Sequence, residues 1–435
     1  MEIEKLYALF LEHPVVTTDS RDCPADSIFF ALKGDSFNGN AYATAALNKG
    51  CAFAVIDEMK YAVPGDARYL VVEDVLTTLQ ALAHYHREQL KTPIIEVTGT
   101  NGKTTTKELL AAVLKQKFRV HYTQGNFNNH IGVPKTLLQM TREHEIAVIE
   151  TGANHPGEIK TLAEIVNPDY GLITNVGKAH LAGFGSFEGV INTKGELYDY
   201  LRTKKDATVF LSNDSPYLKP IAHHLKQVLY GAPTPAAKLA VEGEVVSNIP
   251  FLSFRWHAPE GAWHTVQTHL VGAYNIDNLL SAVTVGLYFG VAPEQIDAAL
   301  SEYVPKNNRS QFTKTERNQL IVDAYNANPT SMMAALRNFR EIKAPHKMVI
   351  LGEMRELGDY STEEHRKVVE FLQKSDCEQV WLVGESFKAV APEAFRTFTD
   401  VEEVKEAIAK NPLRNLLILI KGSNGTKLFQ LPELL

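Results

Sequence analysis

Ile94-Ile95-Glu96-Val97-Thr98 runs directly into Gly99-Thr100-Asn101-Gly102-Lys103-Thr104-Thr105, and this junction constrains the fold more than any other segment. The apolar run reads as a strand, the glycines as a turn, and Thr104 to Lys117 as a helix. Glycines let a backbone turn so that its amides face phosphate oxygens, and the helix start adds unpaired N–H groups. Lys103 can neutralise β/γ-phosphates, and Thr104 offers a hydroxyl to Mg2+. The strict G-x-x-x-x-G-K-[ST] pattern lacks its first glycine here, and an ordinary glycine turn before a surface helix is the competing reading. Strand, Gly-Lys-Thr-Thr and helix nevertheless occur together, which favours nucleotide-phosphate binding.

The remaining chain supports an α/β layered fold. Strand-like runs at Ser27–Leu32, Ala52–Ile56 and Tyr69–Val72 precede a helix from Leu76 to Leu90, and Pro93 marks a boundary. Further strands are predicted at Ile146–Ile149, Tyr170–Ile173 and Ala207–Leu211, spaced by helical stretches as in a parallel sheet. Between Tyr230 and Leu270 the texture suggests an antiparallel excursion, and helices return at Asn275–Phe289 and Pro293–Ser301. Beyond a polar hinge at Pro305–Arg309, strands at Leu320–Asp323, Lys347–Leu351, Val380–Val383 and Leu416–Ile420 alternate with helices at Met332–Ile342 and Glu363–Gln373. At roughly 150 residues per domain, the 435 residues suggest about three domains, divided at 1–90, 91–307 and 308–435.

Composition excludes several classes. A hydrophobic fraction of 45% with 22% charged residues is that of a globular chain rather than a disordered one. The net charge of −7 gives no general attraction to nucleic acid. No apolar run approaches the roughly 20 residues that span a bilayer, and Met1–Phe10 lacks the features of a signal peptide. Three widely spaced cysteines match neither a metal knuckle nor a disulfide framework, so a reducing cytoplasm is expected.

Other candidates are weaker alone. Glu150 ends an apolar strand, where a carboxylate suits a hard cation carrying phosphates, though a solvated strand end is the alternative. His180 follows a strand and a glycine turn, as a metal ligand or a hydrogen-bonded loop histidine. Lys194, taken by itself, reads as a solvated helix residue. Asp323 ends a central-looking strand before Ala324-Tyr325-Asn326-Ala327-Asn328-Pro329, a loop shaped by Asx residues and proline.

Read together, these segments resemble the Mur ligase family, ATP-dependent amide-bond-forming enzymes of bacterial peptidoglycan synthesis. The marks are Asp19-Ser20-Arg21, Phe30-Ala31-Leu32-Lys33-Gly34, the phosphate turn, Asn126 through Pro134, Glu150 with Gly157-Glu158-Ile159, and Thr174 through Leu181. Phe184-Gly185-Ser186, Lys194-Gly195-Glu196, Gly272-Ala273-Tyr274-Asn275 and Asp323 through Pro329 follow in order. Gly352 through Gly358 and Lys421-Gly422-Ser423 point within the family to the member that adds D-alanyl-D-alanine.

The resemblance implies a three-domain architecture with a central phosphate-loop parallel-sheet domain and a Rossmann-like C-terminal α/β domain. It implies ATP and Mg2+ as cofactors, with Gly99, Thr100, Asn101, Gly102, Lys103, Thr104, Thr105, Asn275, Arg309 and Asp323 on the nucleotide. Thr104 and Glu150 would hold one magnesium; His180 and a carbamylated Lys194 would support a second, so that Lys103, Glu150, His180 and Lys194 carry the catalysis. Ser20, Arg21, Lys33 and Gly34 match the part that holds uridine diphosphate, and Asn326 and Lys421 lie where the third domain faces the reaction centre. The implied partners are UDP-N-acetylmuramoyl-tripeptide and D-alanyl-D-alanine, in a cytoplasmic monomer that neither inserts into membranes nor binds nucleic acid. A sibling ligase, a folylpolyglutamate-synthase-like ligase or an inactive nucleotide-dependent module are the alternatives; the first-domain marks favour a UDP-linked acceptor. Tyr274, Asn308, Glu353, Thr193 and Asn38 depart from the family pattern without removing a phosphate-turn or metal side chain.

Overall fold

The computed structural model describes residues 1–306 and 309–435. Among them three large sheets follow one another along the chain. The first has four parallel strands in the order Val16–Thr17, Ile28–Phe30, Phe53–Ile56, Tyr69–Val71. The helix Val75–Leu90, capped by the Asp74 side chain accepting from Thr77 N–H, leads out of it. This helix buries Leu79, Leu82 and Ala83 in a core that is continuous with one face of the second sheet. The first unit is thereby joined to the next by apolar packing, which favours a fixed mutual orientation.

The second sheet has nine strands and is parallel from Val120–Tyr122 through to Val241–Ser247. Ile94–Thr98 lies inside it, between Tyr170–Ile173 and Ile146–Glu150. All five of its residues are buried, as expected for a strand covered on both faces. The predicted antiparallel excursion is an extension of this same sheet, through Ser253–His257 and His264–Gln267. The helix after the phosphate turn spans Lys103–Leu114, three residues shorter than the pattern suggested at its C-terminal end.

The third sheet has six strands in the order Gln311–Lys314, Gln319–Asp323, Leu417–Lys421, Lys347–Gly352, Gln379–Val383, Arg396–Phe398. Only the first pairing is antiparallel. Insertion of the last parallel strand beside Gln319–Asp323 aligns Asp323 with Lys421 across the ladder. Both residues therefore emerge together at the carboxyl edge, where parallel α/β sheets bind ligands. The architecture is the three-domain α/β arrangement expected. Asn308, one of the departures noted, lies outside the described residues.

Candidate active site

A cleft of about 880 Å³ opens between the second and third sheets. It collects Thr100, Asn101, Gly102, Lys103, Thr105, Glu150, His180, Asn275, Arg309, Asp323, Asn326 and Lys421 from the sequence-predicted set. Gly99 and Thr104 lie just behind its wall, in the strand–turn–helix that builds it. Gly99 and Gly102 have φ of 139° and 78°, and a Cβ at either would fall 2.1 Å from Thr174 Oγ1 or 2.6 Å from Asn278 Oδ1. Glycine is required at both by conformation and by space.

Lys103 curls back over the turn, donating to the carbonyls of Gly99 (2.9 Å) and Thr100 (3.0 Å). Burial pulls its pKa down to about 8, with Glu150 opposing the shift and Arg309 adding to it. Thr104 Oγ1 donates to Glu150 Oε1 (3.1 Å), which also accepts from Asn128 Nδ2 (2.8 Å). The other oxygen, Oε2, is buried without a hydrogen-bond partner. A buried carboxylate oxygen left open beside a hydroxyl is a donor set that suits a hard divalent cation. Among the described residues, however, no three His, Cys, Asp or Glu side chains converge as a metal cluster.

His180 adopts φ 49° and its ring pairs with the carboxylate of Glu356, which arrives from the third domain. Lys194 departs from the solvated helix residue that its local sequence suggests. Its side chain is only 2% exposed, because the helix Phe187–Arg202 turns that face into the core. Its Nζ lies 3.4 Å from the Ala153 carbonyl and 5.1 Å from the Phe184 ring centroid. Burial, reinforced by Lys103, lowers its pKa to about 7, so a substantial neutral fraction exists near neutrality.

Asn275 is pinned by donating to Val271 O (2.9 Å) and accepting from Asn278 Nδ2 (2.9 Å). Arg309 stacks its guanidinium 3.9 Å from the centre of the Tyr325 ring, and its Nε is buried without a partner. Asp323 and Lys421 form an ion pair at 2.5 Å, and Lys421 also reaches the Asn326 carbonyl at 3.4 Å. Of the departures, Tyr274 hydrogen-bonds Ser310 Oγ at 2.8 Å, Thr193 donates to Gly189 O, and Glu353 accepts from Ser386 N–H.

Ser20, Arg21, Lys33 and Gly34 belong to the first unit and do not line this cleft. Arg21 pairs with Asp19 at 2.8 Å and Lys33 with Asp57 at 2.9 Å and Glu58 at 3.2 Å. The Ser20 carbonyl accepts from Lys49 Nζ, and the Phe37 ring packs over Gly34. Asn38 also donates to Glu58 (2.8 Å). Residue-by-residue reading missed Asn128, Asn278, Asn328 and Glu356. Asn128, Asn328 and Glu356 lie inside segments marked by the resemblance and Asn278 just beyond one, but none was given a role of its own, since each acts through a partner from another element.

The chain matches the family model described as Mur ligase middle domain over residues 97–286, and that described as Mur ligase, glutamate ligase domain over residues 308–424. It is 34% identical to the UDP-N-acetylmuramoyl-tripeptide–D-alanyl-D-alanine ligase of Bacillus subtilis, covering 95% of this chain and 91% of that one. The crystal structure of MurF from Acinetobacter baumannii superposes with a TM-score of 0.86 at 30% identity, over 96% of this chain and 92% of that one. A MurF ligase from Thermotoga maritima in complex with ADP shares the fold at a TM-score of 0.86 and 24% identity, over 98% and 97% of the two chains. Matches of this extent, across the segments that build the cleft, mean that the chain belongs to the Mur ligase family of ATP-dependent ligases.

Proposed function

We propose that this ligase joins D-alanyl-D-alanine to UDP-N-acetylmuramoyl-tripeptide through an acyl phosphate, releasing ADP and phosphate. The observation that carries the reading is the cleft itself, where Lys103 at the start of its helix and Glu150 at the end of its strand, bridged from behind by Thr104, share the lining with the Asp323–Lys421 pair of the third sheet. A carboxylate held between them can meet a γ-phosphate from one side and an amine from the other. The reaction in the name of the Bacillus subtilis relative supports the same choice of substrates.

A carboxylate oxygen of the tripeptide attacks the γ-phosphorus, and the bond to the ADP oxygen breaks. The amine nitrogen then attacks the acyl carbon, phosphate departs with the former carboxylate oxygen, and the nitrogen loses a proton. Lys103 offsets charge on the transferring phosphoryl group. Thr104 and Glu150 would hold Mg2+, with His180 and carbamylated Lys194 supporting a second ion; the metal supplies Lewis-acid charge neutralisation. The neutral fraction of Lys194 is what carbamate formation requires, since only a free amine adds carbon dioxide. Asn275 and Arg309 face the nucleotide, and Asn326 and Lys421 face the amine. Ser20, Arg21, Lys33 and Gly34 hold the uridine diphosphate.

The domain division 1–90, 91–307 and 308–435 then assigns acceptor, ATP and amine to successive units. No helix among the described residues is long and apolar enough to cross a membrane; a cytoplasmic monomer is the proposed state. Incubation with ATP, D-alanyl-D-alanine and a panel of UDP-muramoyl peptides, read by product mass and phosphate release, tests the assignment. A product from the tripeptide acceptor is expected. Phosphate release with a folate acceptor instead, or no turnover at all, overturns it.

A further inference from the structure

The helix after the phosphate turn carries a charge that the chemistry above does not use. Lys107 is 1% exposed, among the largest fully buried side chains in the molecule. An ammonium in such a place is costly unless it is paired, and an apolar side chain of similar length would fill the space at no such cost. Its Nζ lies 4.0 Å from Glu150 Oε2 and 3.8 Å from Glu108 Oε1, with the Tyr122 ring centroid at 5.7 Å. Glu108 is engaged elsewhere as well, by the Tyr303 hydroxyl at 2.6 Å. Glu150 Oε2, by contrast, is the oxygen that no hydrogen bond satisfies.

Lys107 stands one helical turn beyond both Lys103 and Thr104, on the face that looks toward Glu150. The carboxylate is thus flanked by a hydroxyl on one oxygen and a fixed cation by the other. We propose that Lys107 is a positioning residue that holds the open oxygen of Glu150 and keeps this carboxylate from taking a divalent cation until nucleotide phosphates accompany it. The inference rests on the reading that Glu150 and Thr104 hold the magnesium of the nucleotide. Without nucleotide, the three cations Lys103, Lys107 and Arg309 stand against the two carboxylates Glu150 and Glu108, with Lys107 behind the cleft wall, so a bare cation meets net repulsion. Nucleotide phosphates reverse that balance, because each added negative charge attracts the cation and the lysines alike.

Mn2+ serves as the probe, its free fraction read by electron paramagnetic resonance. The wild-type protein should bind Mn2+ in the presence of ADP and fail to bind it alone up to millimolar concentration. Lys107→Met should bind Mn2+ alone at least about tenfold more tightly, from removal of one charge at this distance. Adding Glu150→Gln should abolish that gain, assigning it to this carboxylate. Equal Mn2+ binding by the wild type with and without ADP overturns the proposal, as does an absent gain in folded Lys107→Met or Lys107→Gln. If neither variant folds, the wild-type comparison decides alone. Failure to bind ADP by calorimetry would instead count against the functional reading, which keeps the two failures apart.

Discussion

Asn101 of the phosphate turn and Asn328 of the third domain exchange amide hydrogen bonds across the cleft. Asn328 Nδ2 donates to Asn101 Oδ1 at 2.7 Å, and Asn101 Nδ2 donates back at 3.4 Å. The Thr174–Lys178 segment runs beside them: Asn101 N–H donates to Asn175 Oδ1 (3.0 Å), and Lys178 N–H donates to Thr330 Oγ1 (3.0 Å). Lys178 Nζ continues the contact to Glu364 at 3.1 Å. The phosphate turn is therefore mechanically linked to the third domain, the arrangement expected of a site that closes before chemistry.

Asn328 also caps the helix Pro329–Glu341, its Oδ1 accepting from Ser331 N–H. Asn328→Ser keeps a cap but cannot span to Asn101. The thermal midpoint should stay within a few degrees of wild type while turnover falls about tenfold, near the worth of one or two net hydrogen bonds. Unchanged turnover in steady-state assays would remove Asn328 from the coupling.

Lys103→Ala should lower amide formation by on the order of a hundredfold or more, the scale for losing a charge-stabilising donor. Its ammonium is held by two loop carbonyls rather than by core packing, so far-UV circular dichroism should be preserved. Near-normal turnover in a folded variant defeats its assignment.

Glu96 is fully buried in the strand beneath the turn, with Oε1 accepting from Thr151 Oγ1 and Oε2 unpartnered. Desolvation raises its pKa from 4.5 to about 8. The folded state thus holds this proton more tightly than the unfolded chain. Its contribution to stability is complete below about 4.5 and is lost as pH rises through about 8. Glu96→Gln should flatten that decline and stabilise the protein above pH 8, by on the order of a few kcal/mol. Denaturant melts across this window check it; parallel declines in both proteins would contradict it.

Lys194→Ala should depress turnover with modest loss of stability, and a short carboxylic acid should restore part of the activity by entering the vacated space. The pKa near 7 means that the neutral amine grows as pH rises through that value, and carbamate formation should grow with it. Isotope-labelled carbon dioxide followed by magnetic resonance reads the product directly. An active enzyme with no labelled carbamate and no loss in the alanine variant would exclude this role.

The strand–turn–helix at Ile94–Leu114 was legible because each part is specified locally: β-branched residues, glycines with positive φ, then a helical run. The strand ends at Glu150 and Asp323 were legible for the same reason, as short apolar runs closed by an acid. Lys194 was misjudged from its own segment, since nothing nearby in the chain says which helix face meets the core. The bond between Asn101 and Asn328 joins residues 227 positions apart, and the pairing of His180 with Glu356 likewise depends on how two sheets meet. The sequence by itself determined the order of elements, the glycine turn and the family, because backbone conformation and hydrophobic period act over a few neighbouring residues. Only the tertiary structure decided which charges are buried, which oxygen of Glu150 stays open, and what the third domain touches. Those outcomes depend on desolvation and pairing between distant segments, which exist only once the chain has packed.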